Sequence, residues 1–360
     1  MSEQKTCADN RKGTAMKIGK ISESVLNRSV LRLIKKHKNE VTKGAGIGED
    51  CAFLSWKNSD MAVASTQTVT LPVRNAGYLA VMAAANNVLA AGAEPTAVTL
   101  ALTLPVDAEE IVLKEIMKQA QNCCTELDIE IVGGHTEVSR AVNSPVICAT
   151  VIGSLTEHPK REKLVKNREH QVDRYLAQTD RDVTQMDVVM SKWIGLEGTF
   201  ILANEKEQEL RSRYPVSLIR LAKDCGNDLS IRTEARIGAE FGVCAMHDMR
   251  NGGVFGALWE LSRKLSVGLE IDLKKIPVRQ ETIEVCEFFD LNPYEFLSGG
   301  ALLMVTENGE ELAETLENEG IPAVVIGRTN GGNDKIIINQ DETRYLEPAV
   351  PDEIFKILFI

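Results

Sequence analysis

Apolar and polar residues change period several times along this chain, and those changes mark out its elements. Between residues 23 and 36, Val25, Leu26, Val30, Leu33 and Ile34 recur at helical spacing, which predicts an amphipathic helix. Short apolar runs at 51–54 and 61–65 predict strands. Residues 76–91 form an alanine-dominated run that predicts a helix packed closely on a sheet, stopped by Gly92 with Pro95 beyond. A strand at 97–104, a helix at 108–127 and strands at 129–132 and 145–155 follow. Past residue 186 the alternation resumes. Strands are predicted at 187–193, 268–272, 302–306 and 323–327, with helices at 200–204, 217–225, 231–241, 254–264, 280–288 and 309–319. The class is mixed α/β.

Residues 156–184 break the pattern, being rich in Lys, Arg, Glu, Asp, Gln and His with no apolar periodicity. A connection of that length is unusual inside a compact domain, so 156–185 reads as a charged linker or insertion. A chain of 360 residues calls for two domains. The expected division is a polar tail at 1–16, a first domain at 17–155, a second at 186–345 and a C-terminal tail at 346–360, whose apolar end packs on the protein surface or on a partner.

Composition narrows the class. With 44% hydrophobic and 26% charged residues the chain is globular, and no run reaches the length of a membrane span. The net charge of −11, without a basic block, argues against nucleic acid as a partner. None of the 8 cysteines makes a Cys-x-x-Cys pair, so they read as reduced, mostly buried thiols of a cytoplasmic protein rather than as a zinc site.

The chemistry gathers at predicted strand ends. Gly133 and Gly134 close one β-branched run and display His135, Thr136 and Glu137; paired glycines let the backbone approach a ligand, although a tight turn with a satisfied histidine fits the same residues. Gly48, Glu49 and Asp50 end a glycine-rich loop. Thr66-Gln67 and Asn86-Asn87 are polar tips on apolar elements, and His247-Asp248 leads through Gly252-Gly253 into a helix. Carboxylates beside glycines that can cradle phosphate are what a magnesium–nucleotide site needs. Neither a P-loop nor a GxGxxG motif after a strand is present.

Taken together, Glu49-Asp50 after Gly-x-Gly, the run Asn86 to Pro95, Gly133-Gly134-His135-Thr136-Glu137 and His247-Asp248-x-x-x-Gly252-Gly253 resemble the aminoimidazole ribonucleotide synthetase superfamily. That superfamily includes selenophosphate synthetase, thiamine-monophosphate kinase and the hydrogenase-maturation protein HypE, and the second half is most similar to the HypE branch. The resemblance implies a two-domain protomer that pairs its first-domain sheet across a homodimer. It implies ATP and magnesium as cofactors, phosphoryl transfer to a substrate not identified, and a maturation protein as a further partner. It places Glu49 and Asp50 at the metal. Gly48, Asn86, Asn87, Gly133, Gly134, Thr136, Gly252 and Gly253 would meet the nucleotide, with His135 and Asp248 in catalysis.

Departures from the family pattern qualify this. Ser65-Thr66-Gln67 stands where relatives carry Ser-Thr-Asp, Asn87 where they carry Asp, and no thiol lies in the final residues 356–360. Fewer carboxylates facing the metal predict a weakened magnesium site. Two readings stay open: a phosphoryl-transfer enzyme, with His135 as acid/base, phosphate contact or structural histidine, and a catalytically weakened nucleotide-binding scaffold or sensor dimer.

Overall fold

The computed structural model describes residues 23–29, 31–33, 41–49, 51–55, 61–155, 183–348 and 351–358. Asp50, the expected tail at 1–16 and nearly all of the charged insertion lie outside the described residues.

The first half runs α1 (Glu23–Ser29), β1 (Val41–Lys43), β2 (Ala52–Leu54), β3 (Ala62–Val69), α2 (Ala76–Ala90), β4 (Ala93–Leu104), α3 (Glu110–Glu126), β5 (Glu130–Val138) and β6 (Val146–Leu155). Its six strands form one sheet in the order β1-β2-β3-β6-β4-β5. Helix α2 lies on one face of that sheet and α3 packs against α2. Alanine is the smallest helix former, so α2 approaches both neighbours closely and is buried almost all round. The other sheet face carries small residues, with Ala64 and Thr66 on β3, Thr99 and Ala101 on β4, and Thr150 and Ile152 on β6, all at least partly exposed. Side chains alternate across a sheet, so this face is apolar enough to pack yet has no helix on it among the described residues.

The second half runs β7 (Asp187–Ser191), α4 (Leu196–Glu205), α5 (Glu207–Leu210), α6 (Val216–Asp224), α7 (Arg232–Phe241), β8 (Ala245–Asp248), α8 (Gly253–Leu265) and β9 (Gly268–Asp272). It continues through α9 (Gln280–Phe289), β10 (Leu302–Thr306), α10 (Gly309–Asn318), β11 (Ala323–Asn330), β12 (Lys335–Asn339), β13 (Glu342–Tyr345) and α11 (Phe355–Leu358). Seven strands form the second sheet, in the order β13-β12-β9-β11-β7-β10-β8. One of its cores holds Val254, Leu258 and Leu261 of α8, and another holds Leu312 and Leu316 of α10. Leu89 and Ala90, from the last turn of α2, belong to the latter core and seal the domain boundary.

The sequence expectations of a mixed α/β class and two sheet-based domains match this architecture. Several details differ, three of them informative. The strand expected to stop at Val132 continues through Val138, because Gly133 and Gly134 stay in the β4–β5 ladder. A Cβ on Gly134 would strike the Leu100 carbonyl, so this glycine serves a close strand approach rather than a turn. Strand β4 starts at Ala93, with Pro95 accommodated at a register shift where its missing N–H costs no ladder bond. The hairpin β12–β13 has no counterpart in the predicted elements; it turns through Gln340 at φ 58°. No helix among the described residues is long and apolar enough to cross a membrane.

Candidate functional site

Helix α2 ends where its apolar run meets Asn86 and Asn87, both buried. Ala91 N–H bonds the Asn87 carbonyl at 3.0 Å and Gly92 N–H bonds the Leu89 carbonyl at 2.7 Å, which closes the last turn and fixes both asparagines. Successive residues on a helix point about 100° apart, so the two amides serve different walls.

Asn87 faces β3 and β8. Its amide satisfies every neighbour when the oxygen accepts from Gln67 Nε2 at 2.7 Å and Ser65 Oγ at 2.9 Å, leaving the nitrogen to donate to both Asp248 carboxylate oxygens at 2.9 Å. Cys51 Sγ donates to the Asn87 backbone carbonyl at 3.2 Å. Asp248 is the last residue of β8, and its backbone is held opposite Leu302 of β10. A small, partly open cavity lies beside this cluster. Lys43, Glu49, Asn87, His247, Asp248 and Lys264 supply its polar lining. Lys43 and Glu49 pair at 2.8 Å. His247 is buried with Nε2 3.3 Å from Glu260 Oε2, and Lys264 Nζ donates to the Met246 carbonyl at 3.4 Å. Gly48, at φ 74°, brings the loop before β2 so close to α8 that a Cβ would sit 2.8 Å from the Glu260 carbonyl. Two lysines and two carboxylates around a partly open cavity make a polar seat with cationic groups for an anion and hard oxygens for a cation.

Asn86 faces the other way. Its Nδ2 donates to the Leu229 carbonyl at 2.8 Å, and its Oδ1 accepts from Ile231 N–H at 3.3 Å, so both ends of the amide grip the second domain. It borders a smaller cavity, shared with Glu197, Asp248, Arg250 and Gly299. Arg250 binds Glu197 bidentately at 2.9 and 3.2 Å, the fork geometry that suits a guanidinium and a carboxylate. Gly299 leaves no room for a Cβ, because the Glu197 carboxylate fills that space. Asp248 borders both cavities.

The strand ends expected to converge do so only in part. Glu49, Asn87 and Asp248 meet around one cavity and Asn86 lines the smaller one, while Gly48 borders neither and packs against α8. Gly133, Gly134, His135 and Thr136 lie on β5, the edge of the first sheet, and border neither cavity. The His135 side chain is 71% exposed, 3.5 Å from Glu137 Oε2. Gly252 and Gly253 start α8 but also border neither cavity; the Gly252 N–H donates to Asp352 Oδ2 at 2.7 Å. Lys43, Lys264, Glu197 and Asp352 were not foreseen. Each becomes relevant only by tertiary approach, and no local motif surrounds it.

For magnesium, the donor set among the described residues is thin. They contain no group of three or more His, Cys, Asp or Glu side chains able to hold a metal. Glu49 is neutralised by Lys43, and Asp248 accepts from the Asn87 amide, so both carboxylates are already engaged. These residues do not by themselves form a magnesium site. The described cysteines are free thiols. Burial pushes Cys225 up to about 11 and Cys286 up to about 12, which keeps them unreactive.

Two family models match the chain: AIR synthase related protein, N-terminal domain, over residues 48–155, and AIR synthase related protein, C-terminal domain, over residues 187–339. Carbamoyl dehydratase HypE of Rhodobacter capsulatus is 25% identical over 289 residues, covering 79% of this chain and 77% of its own. The HypE chain of a crystallised HypE–HypF complex superposes with TM-score 0.65 at 21% identity, covering 84% of this chain and 94% of that one. HypE crystallised with ATP superposes with TM-score 0.61 at 19% identity, covering 94% and 98%. At such identities the superpositions establish the fold.

Proposed function

Since this chain belongs to the AIR synthase-related family, whose two domain models span both of its sheets, we propose that it binds ATP in the cavity between the last turn of α2 and β8. The observation that carries this reading is the cross-domain bond between Asn87 and Asp248, set between two cavities and facing Lys43 and Lys264. In the proposed complex the lysines meet the phosphates. The smaller cavity, with Arg250 and Glu197, receives the group to be activated, and Asp248 stands between the two ligands within reach of both. The reaction class is ATP-dependent phosphoryl transfer in maturation of a metal cofactor of the hydrogenase type. The HypE relative and the ATP-bound HypE fold support it.

Magnesium, in this reading, arrives on the nucleotide and gains little from the protein, because Glu49 is neutralised by Lys43 and Asp248 is engaged by Asn87. Glu49 and Asp50 remain the proposed metal contacts. His135 and Thr136 stand far enough from the cavity to act only on a partner's ligand, which fits a homodimer formed through the open Ala/Thr face of the first sheet. A protein partner is a further part of the proposal, supported by the crystallised HypE–HypF pair.

Titration calorimetry with ATP, in magnesium and in EDTA, tests the reading. Binding is expected in both, with affinities within about threefold, less than 1 kcal/mol. No binding in either, or a loss beyond about tenfold in EDTA, overturns it. Release of ADP, abolished in Asp248→Asn, distinguishes an enzyme from a nucleotide-binding scaffold. The scaffold reading has one feature of its own: the Asn87 amide satisfies its neighbours only when its nitrogen is assigned toward Asp248.

A further inference from the structure

The N-terminus of α8 concentrates free N–H groups and the positive end of a helix dipole, which favours an anion. The acceptor it meets is the chain's own carboxyl. Asp352, from the stretch 351–358, is 3% exposed and accepts from Gly252 N–H at 2.7 Å through Oδ2. Its other oxygen accepts from Leu297 N–H at 3.2 Å and Ile354 N–H at 3.0 Å. The neighbouring Glu353 accepts from Asn292 N–H at 3.0 Å and from Lys356 Nζ at 2.6 Å, while Ile354 is buried in a core that includes Leu291, Phe296 and Leu297.

Two loops are tied by this carboxylate. One, 248–253, carries Asp248 and Arg250; the other, 297–300, carries Gly299. They already share the Arg250 carbonyl, which accepts from Gly253 N–H and Ser298 N–H, both at 3.2 Å. Asp352 adds the second tie, between Gly252 and Leu297. We propose that Asp352 is a positioning residue, which clamps the loops 248–253 and 297–300 together and thereby sets Asp248 and Arg250 in the geometry that their ligands require. The inference rests on the nucleotide reading above. A competing role, in which Asp352 merely occupies a phosphate's seat, is disfavoured by the packing. A Cβ on Gly253 would strike the Tyr294 carbonyl, and neither Gly252 nor Gly253 borders a cavity, so the helix end is closed to a ligand.

The clamp has a pH signature. Burial, first, and the charge of Glu197 on α4 raise the Asp352 carboxyl to about 7 against the pull of its three N–H donors. Cys286 on α9 couples to both Asp352 and Glu353, Glu295 couples to Glu353 and Lys356, and Arg250 pairs with Glu197. A native carboxyl raised from an unfolded value of about 3.9 holds its proton longer than the unfolded chain does. The clamp is therefore most stable at acid pH and loosens as pH rises through about 7.

The test compares the full chain with Asp352→Ala and with the isosteric Asp352→Asn. ATP affinity in Asp352→Ala is expected to fall about tenfold, the scale of an outer-shell support. Wild-type affinity is expected to drop more between pH 6 and 8 than that of Asp352→Asn, which has no charge to gain. Amide exchange at Gly252 and Leu297, measured without nucleotide, is expected to speed up in both variants and so reports the clamp even if ATP does not bind. Wild-type affinity with an unchanged pH slope in both variants overturns the proposal. Tighter ATP binding in Asp352→Ala also overturns it and makes the segment a competitor. A wild-type chain that binds no ATP at all removes the nucleotide reading instead.

Discussion

With its amide in the orientation that satisfies every neighbour, Asn87 directs its nitrogen to both carboxylate oxygens of Asp248 at 2.9 Å, so a neutral side chain of the first domain binds a charged one of the second across their boundary. Asn87→Asp would set two carboxylates at that separation, and like charges so close cannot both ionise cheaply. The expected result is a loss of ~2 kcal/mol in stability in EDTA, recovered on adding magnesium, together with ATP binding that becomes magnesium-dependent. Thermal melts with and without the ion check it; a variant as stable as wild type and indifferent to magnesium contradicts the assignment.

Asn86 holds the domains together rather than a ligand in this arrangement. Asn86→Ala removes its bonds to Leu229 and Ile231 and leaves a buried N–H and C=O without that partner. Chemical denaturation should show a loss of about 1–3 kcal/mol. A change under about 0.5 kcal/mol would mean that the boundary does not depend on this amide.

Arg250 and Glu197 test the smaller cavity. Their side chains are 11% and 4% exposed, so truncating the arginine strands a buried charge. Arg250→Ala should cost about 3–5 kcal/mol, whereas the paired replacement Arg250→Met with Glu197→Leu should cost much less. Equal losses would show that the pair contributes through packing alone.

Gly134→Ala and Gly133→Ala separate two meanings of one glycine pair. An added methyl at Gly134 meets the Leu100 backbone, while at Gly133 nothing lies within 4 Å. Only the first should loosen the β4–β5 edge, seen as faster amide exchange along β5 and a lower melting temperature. Equal effects would contradict the strand pairing.

The proposed dimer face can be tested from the middle of the first sheet. Thr150→Arg places a charge among small residues and is expected to yield monomers by sedimentation without unfolding the chain. A wild-type chain that sediments as a monomer would remove the pairing from the proposal.

Much of this was legible in the sequence, for identifiable reasons. The alternating and helical periods gave the two sheets and α2, because burial imposes those periods. Asn87 was singled out as a polar residue inside an apolar helix, and Asp248 as one ending an apolar strand. The glycines misled at 133–134, where a stop signal and a close-approach signal look alike in one dimension. Lys43, Lys264 and Asp352 were not legible. The Gly252–Asp352 bond joins residues 100 apart in the chain, and nothing near either one announces the other.

Helix α2 has no wet side, since sheet, α3 and the second domain cover it all round. Swinging the two halves apart would bare the side of α2 that the second domain covers, at roughly 25 cal/mol for each Å² uncovered. Traffic into the larger chamber is therefore expected at its rim, where the three-residue strands β1 and β2 form a light shutter held by Lys43 and Glu49. Entry then costs the rearrangement of one short flap, and the heavy masonry on either side stays still.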